Sequence, residues 1–171
     1  MFWEIIILAL WLIGLLVFLS LSLVLAIGAP YVPTVRASRA QAVKLMGLKP
    51  GQTMYDLGSG DGAMLIAAAQ AGLRAVGYEI NPFLVLISRW RTRHYRKQVK
   101  IVWRSFWRAD FSKADGVFVF LLDQFMARLD RRLTAAARQK PIRLVSHAFK
   151  VPSKQPAKTI GAMRLYLYPK G

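Results

Sequence analysis

Residues 5–27 are almost wholly apolar and carry no charge. At about 1.5 Å of rise per residue this run extends roughly 34 Å as a helix, enough to cross a hydrocarbon core of about 30 Å, so the pattern predicts one transmembrane helix. A cleaved signal peptide would carry Lys or Arg ahead of a shorter run, whereas the charge here is Glu4, so an uncleaved anchor is expected. Beyond it, short apolar runs alternate with helix-forming stretches. Residues 53–57 read as a short buried strand, 74–78, 100–103, 116–122 and 142–146 as further strands, and 37–46, 63–71, 81–95 and 125–138 as helices. Residues 162–168 alternate apolar with polar and predict an edge strand. In the helix after the second strand, Phe83, Leu84, Ile87 and Trp90 recur at helical spacing and are expected to face the core. This order predicts a doubly wound, mostly parallel α/β sheet of the Rossmann-like type, with ligands at the C-terminal strand ends. The organisation expected is an anchor over 1–28, a connecting segment and helix over 29–50, and one ligand-binding domain over 51–171. No internal repeat or low-complexity linker interrupts it.

The strongest chemical signal lies between the first two strands. Asp56-Leu57 leads into Gly58-Ser59-Gly60-Asp61-Gly62, and Glu79 follows at the end of the next strand. The glycines permit a tight turn where backbone approaches a ligand closely, and the Ala-rich helix after them turns its N-terminal amides toward that ligand. Glu79 is placed to accept hydrogen bonds from both hydroxyls of a ribose. A dinucleotide site would read GxGxxG with a pyrophosphate on the helix, but the spacing here is GxGxG and Asp56 and Asp61 would repel a pyrophosphate. Carboxylates suit the cationic amino-acid end of S-adenosylmethionine, and no GK[ST] follows to make a P-loop.

The same residues carry a family resemblance. Asp56 to Gly62 with Gly77-Tyr78-Glu79-Ile80-Asn81-Pro82 resembles the S-adenosylmethionine signature of class I methyltransferases. Gly28-Ala29-Pro30-Tyr31-Val32-Pro33-Thr34, after the apolar run, narrows the likeness to the ATP synthase c-subunit lysine N-methyltransferase family and its prokaryotic membrane-anchored relatives. The resemblance implies cofactor contacts from Asp56, Leu57, Gly58, Ser59, Gly60, Asp61, Gly62, Glu79 and Ile80. It also implies an adenine contact after the third strand, where the family usually has an acidic residue and this chain has Ser105, with Phe106 placed either on the ring or in the core. After the fourth strand, Gln124 and Met126 match a family pattern that has Pro in place of Asp123. Gln124 is expected to orient an amine, and Asp123 either to accept its proton or to cap a helix. His147, after the fifth strand, is a further proton acceptor or a structural group.

Composition and charge add the surroundings. The 171 residues contain no cysteine and two histidines, which leaves no thiolate or histidine set for a metal centre. Net charge is +17, and every Lys and Arg lies after residue 35. By the positive-inside rule the N-terminus is expected outside and the domain in the cytoplasm. Between Ile80 and Ala109 there is no acidic residue, while arginines and lysines interleave with Trp90, Tyr95, Trp103 and Trp107. An anionic lipid surface is the expected partner of this segment; RNA and a plain solvated face are the rivals. The resemblance implies methylation of a lysine in a small membrane protein. A lipid or lipophilic amine as substrate, or a non-catalytic membrane-bound module binding cofactor or RNA, are the alternatives.

Overall fold

In the computed structural model, residues 2–27 and 36–171 are described. The Gly28-to-Thr34 element lies outside them. The first helix, α1, runs Phe2–Ile27. Its described side chains reach only to Phe18, and among the described residues no helix is long and apolar enough to cross a membrane.

Past the connecting segment come α2 (Arg36–Met46), β1 (Thr53–Leu57), α3 (Ala63–Gln70), β2 (Arg74–Glu79), α4 (Pro82–Arg91) and β3 (Val99–Trp103). Then follow β4 (Gly116–Val119), α5 (Asp123–Ala137), β5 (Ile142–His147), β6 (Lys158–Ile160) and β7 (Met163–Tyr168). The sheet order is β3-β2-β1-β4-β5-β7-β6. β1 to β5 are parallel, and β7 and β6 close the sheet antiparallel. Alternation along each strand divides the core. Tyr55, Leu57, Val117, Val119 and Leu144 face one cluster with Met126, Leu129 and Leu133 of α5. Met54, Phe118 and Val145 face the other with α2 and α3. Burying both faces is what makes these parallel strands near-continuously apolar.

The predicted doubly wound sheet is present, with four local corrections. The alternating C-terminal strand β7 is not an edge; it lies between β5 and β6. The edge is Lys158–Ile160, too short and polar to read as a strand, which is how edges resist stray pairing. The helix predicted over 81–95 stops at Arg91 and gives way to a 3-10 turn, Arg93–Tyr95. Its predicted core stripe is also displaced: Val85 and Ser88 are buried, while Phe83, Ile87 and Trp90 are exposed. Spacing reports that a helix has an apolar stripe, but packing decides which stripe meets the sheet. Finally, β4 ends at Val119 and α5 begins at Asp123, ahead of its predicted start.

Candidate active site

The strand order reverses between β1 and β4, and the register aligns Leu57 with Tyr78 on one side and Val119 on the other. A crevice at such a switch point, outside the carboxyl ends of the strands, is where open α/β sheets take ligands. The glycine loop leaves β1 at this point. The carbonyl of Tyr78 accepts from the amides of both Gly58 and Ser59, at 2.9 and 3.0 Å. Gly58 has φ +89°, and a Cβ built on it meets nothing within 4 Å, so the loop is both glycine-dependent and open there. Gly62 has φ +80° and is the N-cap of α3; a Cβ on it would collide with Ser88 Oγ, because α4 backs the loop.

Two buried carboxylates lie under this loop. Glu79 Oε2 accepts from the Gly60 amide at 2.9 Å, and Oε1 accepts from the amides of Ile80 and Asn81, both at 2.8 Å. A carboxylate offers about four lone-pair sites. One is left for a ribose hydroxyl, so the expected grip on both hydroxyls requires a backbone amide to yield. Asp56 is buried, and burial first, then the charge of Glu79, pushes its pKa up to about 7. Asp61 behaves differently: it pairs with Arg91 of α4, and its Oδ1 accepts from the Ala63 amide at 3.1 Å. Arg91 therefore neutralises one of the two acidic groups that the charge argument relied on, leaving Asp56, with Glu79 as the other buried acidic group at the loop. Ser59 Oγ is buried without a hydrogen-bond partner among the described residues. An open glycine loop, an unpaired buried hydroxyl and two buried acidic groups fit an adenosyl cofactor with a cationic tail.

The comparisons with known proteins agree with this geometry. The family model described as the ANTKMT methyltransferase domain matches residues 56–158. The chain belongs to the ANTKMT methyltransferase domain family. With it, the chain joins the S-adenosylmethionine-dependent methyltransferases. It is 34% identical over 138 residues to the ATP synthase c-subunit lysine N-methyltransferase of Xenopus laevis, covering 77% of this chain and 58% of that one. It is 30% identical to a protein-lysine N-methyltransferase of Saccharolobus islandicus, covering 77% and 83%. The structure of an RNA methyltransferase from Salinibacter ruber with S-adenosyl-L-homocysteine superposes with TM-score 0.74 at 28% identity, covering 82% and 95%. The chain spans about half the length of the curated relatives it matches from Xenopus, rat, human and mouse.

The remaining site residues sort by position along the methyltransferase sheet. Ile80 follows Glu79 directly, and its carbonyl accepts from Trp103 Nε1 at 3.0 Å. Ser105 is half-buried beyond β3. Phe106 is a core residue, buried and packed on Trp107 with ring centroids 4.7 Å apart. Asp123 is not a cap: Leu122 is the N-cap of α5, and Asp123 is an exposed residue of the first turn beside exposed Gln124. Met126 is fully buried against the sheet, which explains its place in the family pattern by packing.

Sequence reasoning named His147 but missed the wall of aromatic rings beside it. Phe120, just past β4, lies 5.4 Å from the His147 ring and 5.6 Å from the Phe149 ring, centroid to centroid. Partial burial lowers the pKa of His147. The turn that sets this wall is strained: Ala148 has φ +69°, held by its amide donating to Ala162 and its carbonyl accepting from Arg164. Among the described residues no His/Cys/Asp/Glu group could hold a metal. A cleft of about 400 Å³ beside α5, lined by Phe111, Arg128, Arg131 and Arg132, includes no residue of the glycine loop.

Proposed function

We propose that this protein methylates the ε-amine of a lysine in a small membrane protein and works from the bilayer, anchored by residues 5–27 with its domain on the cytoplasmic side. The observation that carries the reading is the juxtaposition of two half-sites at one end of the sheet. The glycine loop with Asp56 and Glu79 follows β1 and β2, while Gln124 and the Phe120–His147–Phe149 wall follow β4 and β5. Relatives named as lysine N-methyltransferases support the choice of amine.

When bound, S-adenosylmethionine supplies a methyl group on a sulfonium. The chain's own residues prepare the nucleophile. Asp56, Leu57, Gly58, Ser59, Gly60 and Gly62 form the cradle, Glu79 with Ile80 takes the ribose, and Ser105 borders the adenine end. A lysine enters charged, so it must lose a proton before its lone pair can attack. The apolar aromatic wall disfavours the charged amine and offers ring faces to the methylated cation that leaves. Gln124 orients the amine through its carbonyl, and Asp123 or His147, which burial keeps neutral, receives the proton. Positioning of this kind is the main contribution a protein makes to an in-line displacement.

The test is transfer of radiolabelled methyl into native membranes by the full chain, with Glu79→Gln as control. A labelled protein band lost in the control supports the reading; label in lipid replaces the substrate with a headgroup or lipophilic amine. A second reading, methylation or binding of RNA, is favoured by the likeness to the Salinibacter enzyme and by the basic segment after Ile80. It predicts label in added RNA, or salt-sensitive RNA affinity without turnover.

A further inference from the structure

The displaced stripe of α4 forms a surface of its own. Phe83, Leu86, Ile87 and Trp90 lie at i, i+3, i+4 and i+7 on the helix, and each is between 46% and 66% exposed. Trp103, 63% exposed at the end of edge strand β3, extends the patch toward the cofactor end, since its Cα pairs with Glu79 and its indole donates to Ile80. Five large apolar side chains on adjacent elements are more than scattered surface residues, and a patch of this kind marks an interaction face.

Charge identifies the occupant. Arg89, Arg93, Arg96, Lys97, Lys100 and Arg104 are exposed on α4 and the elements after it, and no acidic residue falls between Ile80 and Ala109. Arg93 lies over the Trp90 ring at 4.6 Å, joining cation and apolar surface in one unit. Nucleic acid would use the arginines and the tryptophans, but Leu86 and Ile87 have no base to stack on. A bilayer uses all of them: aliphatic groups below the headgroups, tryptophans at the interface, cations on anionic lipid.

We propose that the α4 face is an interfacial membrane-docking surface for anionic lipid, which lays the cofactor end of the domain against the bilayer independently of α1. The proposal rests on the membrane-bound reading above but not on lysine as the substrate. Its consequence is orientation. A helical anchor does not by itself select which face of the domain meets the bilayer, whereas a second contact beside Glu79 sets the crevice at the depth where a membrane-embedded amine emerges.

Because the chain has no cysteine, one can be introduced for a fluorescent probe. The experiment compares probes on Ile87→Cys and, as a second position, Phe83→Cys with a control on Thr134→Cys, an exposed position on α5. The full chain is reconstituted into phosphatidylcholine vesicles with or without phosphatidylglycerol, and quenching by lipid-borne nitroxide is read. The expected result is several-fold stronger quenching at 83 and 87 than at 134, confined to vesicles containing phosphatidylglycerol. Arg89→Gln with Arg93→Gln should cut the docked fraction about tenfold or more, since each basic group near an anionic surface contributes about 1 kcal/mol. Equal, water-like behaviour of all three probes overturns the proposal, as does shielding at 83 and 87 in detergent without lipid, which would mean that protein covers the face. Protection by added RNA but not by vesicles would overturn it in favour of nucleic acid. Carbonate extraction of the same samples reports on α1 separately, so failure of the anchor and failure of the docking face are distinguishable.

Discussion

The Gly60 amide donates to Glu79 Oε2 at 2.9 Å, so the glycine loop after β1 is tied directly to the carboxylate ending β2. The two parts of the cofactor signature are therefore one hydrogen-bonded unit. The same carboxylate holds the amides of Ile80 and Asn81, while the Asn81 side chain caps α4 by accepting from Phe83 and Leu84. Loop, Glu79 and helix start are coupled.

Glu79→Gln should therefore do more than remove the proposed ribose contact. Its amide nitrogen would face a backbone N–H, so loss of a charge-assisted bond adds to an unsatisfied donor pair. Cofactor affinity should fall at least about tenfold and stability by about 1–3 kcal/mol. Titration calorimetry and urea unfolding measure the two; unchanged affinity would remove Glu79 from the cofactor site.

Asp56 makes stability depend on pH. Its folded pKa, about 7, lies above the ordinary aspartate value of 3.8, so the folded state holds a proton that the unfolded chain releases. The stability associated with that proton is fully present below the unfolded value, declines by up to about 1.4 kcal/mol per pH unit as pH rises between the two values, and is lost above about 7. Asp56→Asn should flatten the urea midpoint across this window. A cationic cofactor beside the carboxylate favours its ionised form, so binding near pH 6 should release protons, seen as buffer-dependent calorimetric heats. Wild-type and variant midpoints that track each other would refute the assignment.

Gln124 and Asp123 are separable by kinetics. Both are exposed in the first turn of α5, and neither is a cap, so substitution should leave folding within about 0.5 kcal/mol of the wild type. Gln124→Ala should lower kcat by about 10- to 100-fold with cofactor affinity unchanged, because it removes orientation of the amine. Asp123→Asn should also lower kcat if Asp123 takes the proton, because an amide cannot accept one. If kcat is unchanged, His147 is the remaining acceptor.

Ala148→Gly tests the strained turn. An L-residue in the left-handed region costs roughly 1–2 kcal/mol, and glycine relieves this at some expense in unfolded-state entropy. A net gain of about 0.5–1 kcal/mol in urea unfolding is expected, with kcat reduced if the turn holds His147 in place. Destabilisation would mean that the Ala148 methyl is packed more tightly than its exposure indicates.

What the sequence by itself determined were features that follow from local chemistry. The alternation of apolar strand runs with helix formers specified a doubly wound sheet, the glycines marked a turn needing positive φ, and Glu79 declared itself by its distance from Asp56. Each depends on a residue's own conformational or hydrogen-bonding capacity, so each survives without knowledge of neighbours. Only the tertiary structure decided which groups meet. It paired Asp61 with Arg91, filled three of the Glu79 acceptor sites with backbone amides, and packed the Phe120 ring at a tilt against those of His147 and Phe149 at the ends of β4 and β5. It also rotated α4 so that Val85 and Ser88 meet the sheet and Phe83, Ile87 and Trp90 do not. Periodicity along one helix cannot contain that outcome, because the choice of buried face depends on the sheet beneath it.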